Sequence, residues 1–311
     1  MTKPLRLFWW NKSPNFGDAL SRDVVAHVSG RKVEWAAETA AQIFAVGSIM
    51  WNVRKGVHKR APGGEPPVVW GTGCMEPIGT DWVNKAEIAA LRGPVTAAVF
   101  DRSPALALGD PGLLAAEVVG PVGRTDAIGI VPHHSQFGTP EIEALQTFVA
   151  DQPDRLRLID VRSNDAAAVI RDIASCSHVF SQSLHGLIVA DAYGIPNGLL
   201  RPDAIHRSAW FKFYDYWASV RRKPEPGLTT SDLTALLATG EPGSITSADA
   251  GLVQELCAGL KAAFPDHLKA QLRRVRSVLA HDASRSTQAR TTATLSASSS
   301  QGMCPRPGTF P

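Results

Sequence analysis

Val179-Phe-Ser-Gln-Ser-Leu-His-Gly-Leu-Ile-Val-Ala-Asp-Ala-Tyr-Gly194 is the stretch that decides the fold. It reads as a short buried strand, a polar tip and then an apolar helix. Ser181, Ser183 and His185 stand at the strand-to-helix corner. In an open α/β sheet, ligands bind beyond the carboxyl ends of the strands. A helix start there offers unsatisfied backbone N–H groups and the positive end of its dipole to an anion. His185 adds a side chain that exchanges protons near neutral pH. The segment implies an anionic substrate and acid–base chemistry. The plainer alternative is a histidine that caps or packs the helix start.

The same alternation continues on both sides. Apolar runs bounded by turn residues predict strands at Leu5–Trp10, Ile43–Ile49, Val68–Trp70, Ile88–Leu91 and Ala105–Leu108. Gly47-Ser48, Gly71-Thr-Gly73, Arg92-Gly93 and Gly109-Asp110 close several of them with small polar exits. Such exits let a ligand approach the backbone, although ordinary tight turns need them too. A break at about Glu117–Asp126 precedes a second series: Ala127–Val131, Leu156–Val161, His178–Phe180 and Asn197–Leu200. Helices fit between these at about Pro140–Ala150, Asp165–Ser175 and Leu184–Tyr193, with Asn164-Asp165 capping the second. The expected fold class is α/β, with two Rossmann-like domains, 1–120 and 126–267, facing a cleft that holds the site.

Composition narrows the function classes. The 44% hydrophobic content suits ordinary cores, and no apolar run reaches bilayer length. The apolar part of the N-terminus is too short for a signal peptide, so a cytoplasmic protein is expected. Cys74, Cys176, Cys257 and Cys304 are widely spaced and form neither a disulfide framework nor a zinc motif. Residues 268–311 hold seven Lys/Arg against one Asp, so the +3 of the whole chain leaves residues 1–267 net acidic. That part has no nucleic-acid footprint. Residues 268–311 read as a basic helix, Leu268–Leu279, and a Ser/Thr-rich disordered tail from about His281. The basic stretch is either a solvated last helix or a peripheral contact at the inner face of a membrane.

Several motifs then line up with one family. They are Asn15-Phe-Gly-Asp-Ala-Leu20, Val46-Gly-Ser48, Trp70-Gly-Thr-Gly73, Leu91-Arg-Gly-Pro-Val-Thr96, Leu108-Gly-Asp-Pro-Gly112, Ile128-Gly-Ile-Val-Pro-His-His134 and Ser181-Gln-Ser-Leu-His-Gly186. In this order and spacing, from about residue 5 to 220, the chain resembles the polysaccharide pyruvyl transferases of succinoglycan-type exopolysaccharide synthesis. The resemblance implies a GT-B-like fold. It also implies transfer of a pyruvyl group from phosphoenolpyruvate (PEP) to a sugar, as a cyclic ketal. PEP is then the donor substrate, with no separate cofactor and no metal. The partner is a sugar acceptor on an exopolysaccharide or a lipid-linked oligosaccharide. A nucleotide-sugar glycosyltransferase of the same layout, or a non-catalytic carbohydrate-binding protein, are the rival readings.

The chemistry assigns expectations to residues. Arg92, matching the family's Arg at a strand exit, is the expected anion ligand. His185 is the expected general acid, with His133 and His134 as the competing pair. Adjacent residues point to different sides, so at most one of that pair is expected to face the cleft. Many family members carry Arg where this chain has Ser183, and a hydroxyl cannot replace a guanidinium fork. Arg201 and Lys212 are the candidates to compensate. Ser181, Asn15, Asp18, Gly47 and Asp110 complete the expected substrate contacts, with helix capping the alternative for Asp18 and Asp110. The aromatic run Trp210–Trp217 either stacks on sugar rings or packs a helix.

Overall fold

The computed structural model describes residues 3–102, 105–203, 205–206 and 208–270. The described residues belong to one compact unit, Met1–Ala270. From residue 271 the expected basic helix and tail lie outside the described residues, as does Cys304.

The chain is α/β, with two parallel sheets that share no strand. The first holds β1 (Leu5–Phe8), β2 (Val33–Trp35), β3 (Ile43–Phe44), β4 (Val68–Trp70), β5 (Glu87–Leu91) and β6 (Ala107–Leu108), in the order β2-β1-β3-β4-β5-β6. The second holds β7 (Ile128–Val131), β8 (Leu156–Leu158), β9 (His178–Ser181) and β10 (Asn197–Leu199), in the order β10-β9-β7-β8. Their helices are α1 (Phe16–Ser29), α2 (Met50–Lys59), α3 (Pro94–Val99), α4 (Ala115–Val119), α5 (Pro140–Ala150), α6 (Ala166–Ala174), α7 (Leu184–Ala192), α8 (Ala209–Ser219), α9 (Thr230–Ala238) and α10 (Ala250–Ala263).

Strand order fixes where a ligand can enter. Each sheet reverses direction of growth once, between β1 and β3 in the first and between β7 and β9 in the second. At such a reversal the two following loops run to opposite sides and leave a crevice beyond the strand ends. Both crevices contribute to one cavity, described below.

The helices behind these crevices are held by local chemistry. Asn15 caps α1 by accepting from the Gly17 backbone N–H (3.2 Å), and Gly30 ends it with a left-handed backbone. Phe16, Leu20 and Val24 recur at helical spacing and are fully buried, each worth roughly 1.5–3 kcal/mol. α7 buries every residue from Leu184 to Asp191, as a helix apolar all round must. Its one buried carboxylate, Asp191, accepts from Asn197 Nδ2 (2.7 Å), the Tyr216 hydroxyl (2.7 Å) and the Ala248 N–H (2.8 Å). Asp165 caps α6 through the Ala168 N–H (3.0 Å).

α10 returns to the first sheet. Its Leu260 carbonyl accepts from Trp70 Nε1 (2.8 Å), and Phe264 stands edge-on to the Trp70 ring. Residues from after β10 therefore cover the first sheet. Of the expected elements, the run Ile43–Ile49 is a strand only over Ile43–Phe44. β2 was not anticipated; it is an edge strand with Glu34 and Trp35 exposed, so it lacks the apolar run that marks the others.

Candidate functional site

A cavity of about 570 Å³ is lined by the loops at the two sheet reversals. Trp10, Asn15 and Asp18 follow β1, and Gly47 to Asn52 follow β3. His133 and His134 follow β7; Ser183, Leu184 and His185 follow β9; Lys212 enters from α8. Its size suits a small-molecule ligand site.

His185 is one of the buried groups of the lining. It is buried on the first turn of α7, and its Nε2 has no hydrogen-bond partner. Such an orphaned buried nitrogen is costly unless something else meets it. The ring lies against the backbone of Gly17: a Cβ there would stand 2.6 Å from His185 Cγ and 3.0 Å from Cε1. The Gly of the Asn-Phe-Gly-Asp motif is thus the floor under the imidazole. Burial, then the charges of Lys212 and Arg92, push the His185 pKa down to about 3.

Ser183 is the N-cap residue of α7, and its side chain makes no capping bond. Ser181 does the structural work of the corner. Its Oγ accepts from the Ser183 N–H (3.0 Å) and donates to the Ser183 carbonyl (2.8 Å). Fully buried, Ser181 does not line the cavity.

Lys212 and Asp18 carry the perturbed charges. Lys212 is 7% exposed. Burial and the Arg92 charge lower its pKa to about 8, against the opposing pull of Asp18. Burial raises Asp18 to about 7, opposed by its hydrogen bond from Asn15 Nδ2 (2.8 Å) and by Lys212. Both values lie near neutrality, where proton-transfer groups work best. Asp18 does not cap α1; Asn15 does. Gly47 faces Asp18, 3.5 Å from a Cβ position to its Oδ1.

His133 and His134 both line the cavity, against the expectation that at most one would face it. β7 ends at Val131, so strand alternation no longer applies two residues later. Their rings lie 4.3 Å apart, tilted by 41°. The Ser135 N–H donates to His133 Nδ1 (3.3 Å), which assigns the proton of the neutral ring to Nε2. Burial, then Lys212 and the neighbouring imidazoles, lower His133 to about 3; His134 is also lowered, by burial first.

Arg92 requires a correction. It is fully buried, does not line the cavity, and spends its guanidinium inside the protein. Nε donates to Asp215 (2.8 Å), one terminal nitrogen to Ser48 Oγ (2.5 Å) and the other to the Cys74 carbonyl (2.7 Å). Asp215 also accepts from the Thr96 N–H (2.8 Å) and hydroxyl (2.7 Å). Two glycines make room. A Cβ on Gly73 would stand 2.6 Å from Arg92 Nε, and one on Gly93 2.6 Å from an Asp215 carboxylate oxygen. Asp215 lies one turn beyond Lys212 on α8, so Arg92 anchors the helix that carries the cavity's lysine. Its third partner, Ser48, does line the cavity.

Two further expectations fall outside the cavity. Asp110 is fully buried and accepts from the Gly112 N–H (2.9 Å), the capping alternative. Arg201 pairs on the surface with Asp203 (2.6 Å), so of the two candidates only Lys212 lines the cavity with Ser183. Of the Trp210–Trp217 run, Lys212 alone lines the cavity; Phe213, Tyr216 and Trp217 pack the core. Among the described residues, no three His, Cys, Asp or Glu side chains are grouped for a metal ion.

Sequence reasoning missed Ser48, Trp10, Trp51 and Gln182. The Gln182 carbonyl oxygen accepts from the His133 N–H (3.2 Å) while its amide donates to the Arg201 carbonyl (3.2 Å), tying the β7 loop to the β9 corner. Trp51 carried only a partial signal: Gly47-Ser48 is a small polar pair two residues before the helix start at Met50, but it lies inside the apolar run Ile43–Ile49.

No family model matches the chain. Over 195 residues, 61% of this chain, it is 28% identical to the succinoglycan biosynthesis protein ExoV of Rhizobium meliloti (strain 1021), covering 57% of that protein. Over 115 residues, 36% of this chain, it is 30% identical to the uncharacterized protein L143 of Acanthamoeba polyphaga mimivirus, covering 39% of it. The chain thus spans less than two thirds of the length of each of these relatives. A putative UDP-N-acetylglucosamine 2-epimerase from Listeria monocytogenes superposes with a TM-score of 0.44 at 12% identity, over 87% of this chain and 99% of that one. Among the described residues no helix is long and apolar enough to cross a membrane.

Proposed function

We propose that this chain is a carbohydrate-modifying enzyme that transfers a pyruvyl group from PEP to two hydroxyls of a saccharide. One observation carries the reading: a buried imidazole with an orphaned Nε2, at a helix start, in a cavity that also holds a buried lysine. The motif resemblance and the similarity to a succinoglycan biosynthesis protein support the choice of chemistry.

PEP carries a carboxylate and a phosphate. The first turns of α7 and α2 both border the cavity, and each offers N–H groups to an anion. Lys212 is the cation between them, in the role first expected of Arg92. Arg92 acts through Lys212 and Ser48 as a positioning residue. His185 is neutral in the free enzyme, because burial and then the charges of Lys212 and Arg92 oppose its protonation. A bound polyanion offsets those charges and raises the imidazole pKa, so the donor loads the proton that it later receives.

The reaction then balances. Imidazolium gives its proton to the methylene carbon of PEP, making a methyl group and an electrophilic central carbon. The first sugar hydroxyl attacks that carbon and gives its proton to Asp18, which passes that same proton on to His185 and so regenerates the imidazolium. The second hydroxyl attacks the same carbon as the C–O bond to phosphate breaks. Its proton leaves on inorganic phosphate. His133 and His134 line the acceptor side and hydrogen-bond hydroxyls as neutral imidazoles. The acceptor is an exopolysaccharide unit or a lipid-linked oligosaccharide.

The test is to incubate the protein with PEP carrying 13C at the central carbon, and with saccharides of depyruvylated succinoglycan. The expected product has the labelled carbon as a ketal, with one phosphate released per ketal. No ketal from PEP, but sugar transfer from a nucleotide sugar, would replace this reading with the glycosyltransferase one.

A further inference from the structure

Trp10 and Trp51 are conspicuous at the mouth of the cavity. Four large hydrophobic side chains are exposed among the described residues, and these two, at 37% and 59%, both line it. A single exposed hydrophobic side chain is ordinary, but two indoles lining one cavity with polar side chains beside them have the character of a binding groove. They come from different elements, Trp10 from the loop after β1 and Trp51 from the first turn of α2. Each ring has a cation at one face: Lys12 Nζ lies 5.3 Å from the Trp10 centroid and the Arg54 guanidinium 5.4 Å from Trp51. Such contacts hold an exposed ring in a fixed orientation.

We propose that Trp10 and Trp51 form an acceptor subsite that stacks a pyranose ring of the saccharide, a placement that rests on the function proposed above. The face of an indole is electron-rich and attracts the slightly positive C–H groups on one face of a pyranose. Hydroxyls at the rim of the sugar need polar partners beside the rings. Asn15 and Asn52 line the same cavity, and Asn52 is oriented by its amide hydrogen bond to Glu38 (3.1 Å). The charge around Trp51 argues against a membrane surface as the occupant. Arg54 pairs with Asp81 (3.3 Å) and Lys55 with Glu38 (2.9 Å), which leaves Lys12 as the one cation of the three at these rings without a carboxylate partner among the described residues, short of the basic cluster that anionic lipid requires. The three-carbon donor sits deep, at His185 and Lys212. The stacked ring lies outward, so the subsite selects the acceptor without touching the donor.

The experiment titrates the full chain, without PEP, with oligosaccharides of depyruvylated succinoglycan and follows tryptophan fluorescence. Saturable change is expected. Trp10→Ala and Trp51→Ala should each weaken binding about tenfold, while Trp51→Phe retains most of it. Tyr214→Ala removes an exposed aromatic outside the cavity and should leave binding unchanged. Thermal melting of each variant checks that the fold is kept. Absence of saturable binding by the parent chain, or equal binding by the two alanine variants, overturns the subsite. So does a fluorescence response to anionic vesicles but not to saccharide. The two readings fail separately. Tryptophan-dependent saccharide binding without phosphate release from PEP sinks the pyruvyl reading alone. Ketal formation with an unaltered acceptor KM in Trp10→Ala and Trp51→Ala sinks the subsite alone.

Discussion

Replacing Gly17 by Ala separates helix stability from the positioning of His185. By propensity alone this change favours α1 by at most about 0.5–1 kcal/mol, the value for a helix middle, since Gly17 lies in the first turn. The backbone of Gly17 is not left-handed, so Ala meets no conformational barrier there. The obstacle is the imidazole: the new methyl would stand 2.6 Å from His185 Cγ. Carbon atoms pack at about 3.5–4.0 Å, so ring and helix must separate by roughly 1 Å. Overpacking of this kind costs about 1–3 kcal/mol, which cancels or exceeds the propensity gain. A displacement of about 1 Å in a catalytic group costs on the order of 10²-fold in rate. The expected outcome is a folded protein, little changed or modestly lower in Tm, with turnover down about 10²-fold. Phosphate release from PEP with acceptor saturating reads the rate, and urea unfolding reads the stability. A Gly17→Ala protein that is more stable and fully active would refute the idea that His185 is held against α1 for the reaction.

Three other perturbations test the remaining assignments. Lys212→Met should raise the KM for PEP by about 30-fold or more, since a desolvated cation–anion contact is typically worth about 2–5 kcal/mol. In the parent protein, PEP affinity should fall as pH rises through about 8, where Lys212 loses its proton; a flat profile contradicts the role. Asp18→Asn should cut turnover yet stabilise the fold at alkaline pH. The folded pKa of about 7 lies above the ordinary 3.8, so the parent loses stability as pH rises between those values. The variant should escape that loss by about 1–2 kcal/mol near pH 8, after discounting for the partial exposure of the carboxylate; equal denaturation midpoints at pH 5 and pH 8 relative to the parent would contradict it. Arg92→Met should destabilise by about 3–5 kcal/mol by stranding Asp215, and Arg92→Met with Asp215→Leu should recover part of this. An Arg92→Met protein of normal stability with a raised KM for PEP would make Arg92 an anion ligand after all.

Much of the site was legible because α/β strand exits are written in local sequence. The corner at Ser183 and His185 needs only a buried strand, a polar tip and an apolar helix, all within sixteen residues. Asn15, Asp18 and Gly47 were legible for the same reason. Arg92 was misassigned because its partner is 123 residues away. No local pattern shows that Gly73 and Gly93 make space for an ion pair rather than for a ligand. The Trp51 corner was hidden by the apolar run Ile43–Ile49, which reads as strand throughout although pairing stops at Phe44. The second imidazole at the site was hidden by the assumption that adjacent residues point to different sides, which does not hold beyond the end of β7 at Val131. β2 escaped because an exposed edge strand carries no buried run.

The central claim is that His185 delivers a proton to the methylene carbon of PEP. The most direct measurement is the reaction in D2O with PEP and saccharide acceptor, followed by mass spectrometry and NMR of the product methyl group. The account predicts a ketal whose methyl carries one deuterium. It also predicts that His185→Gln binds PEP nearly as well but forms this product about 10²–10⁴-fold more slowly. A ketal methyl without solvent deuterium, or a His185→Gln protein with weakened PEP binding and undiminished saturated turnover, would contradict it.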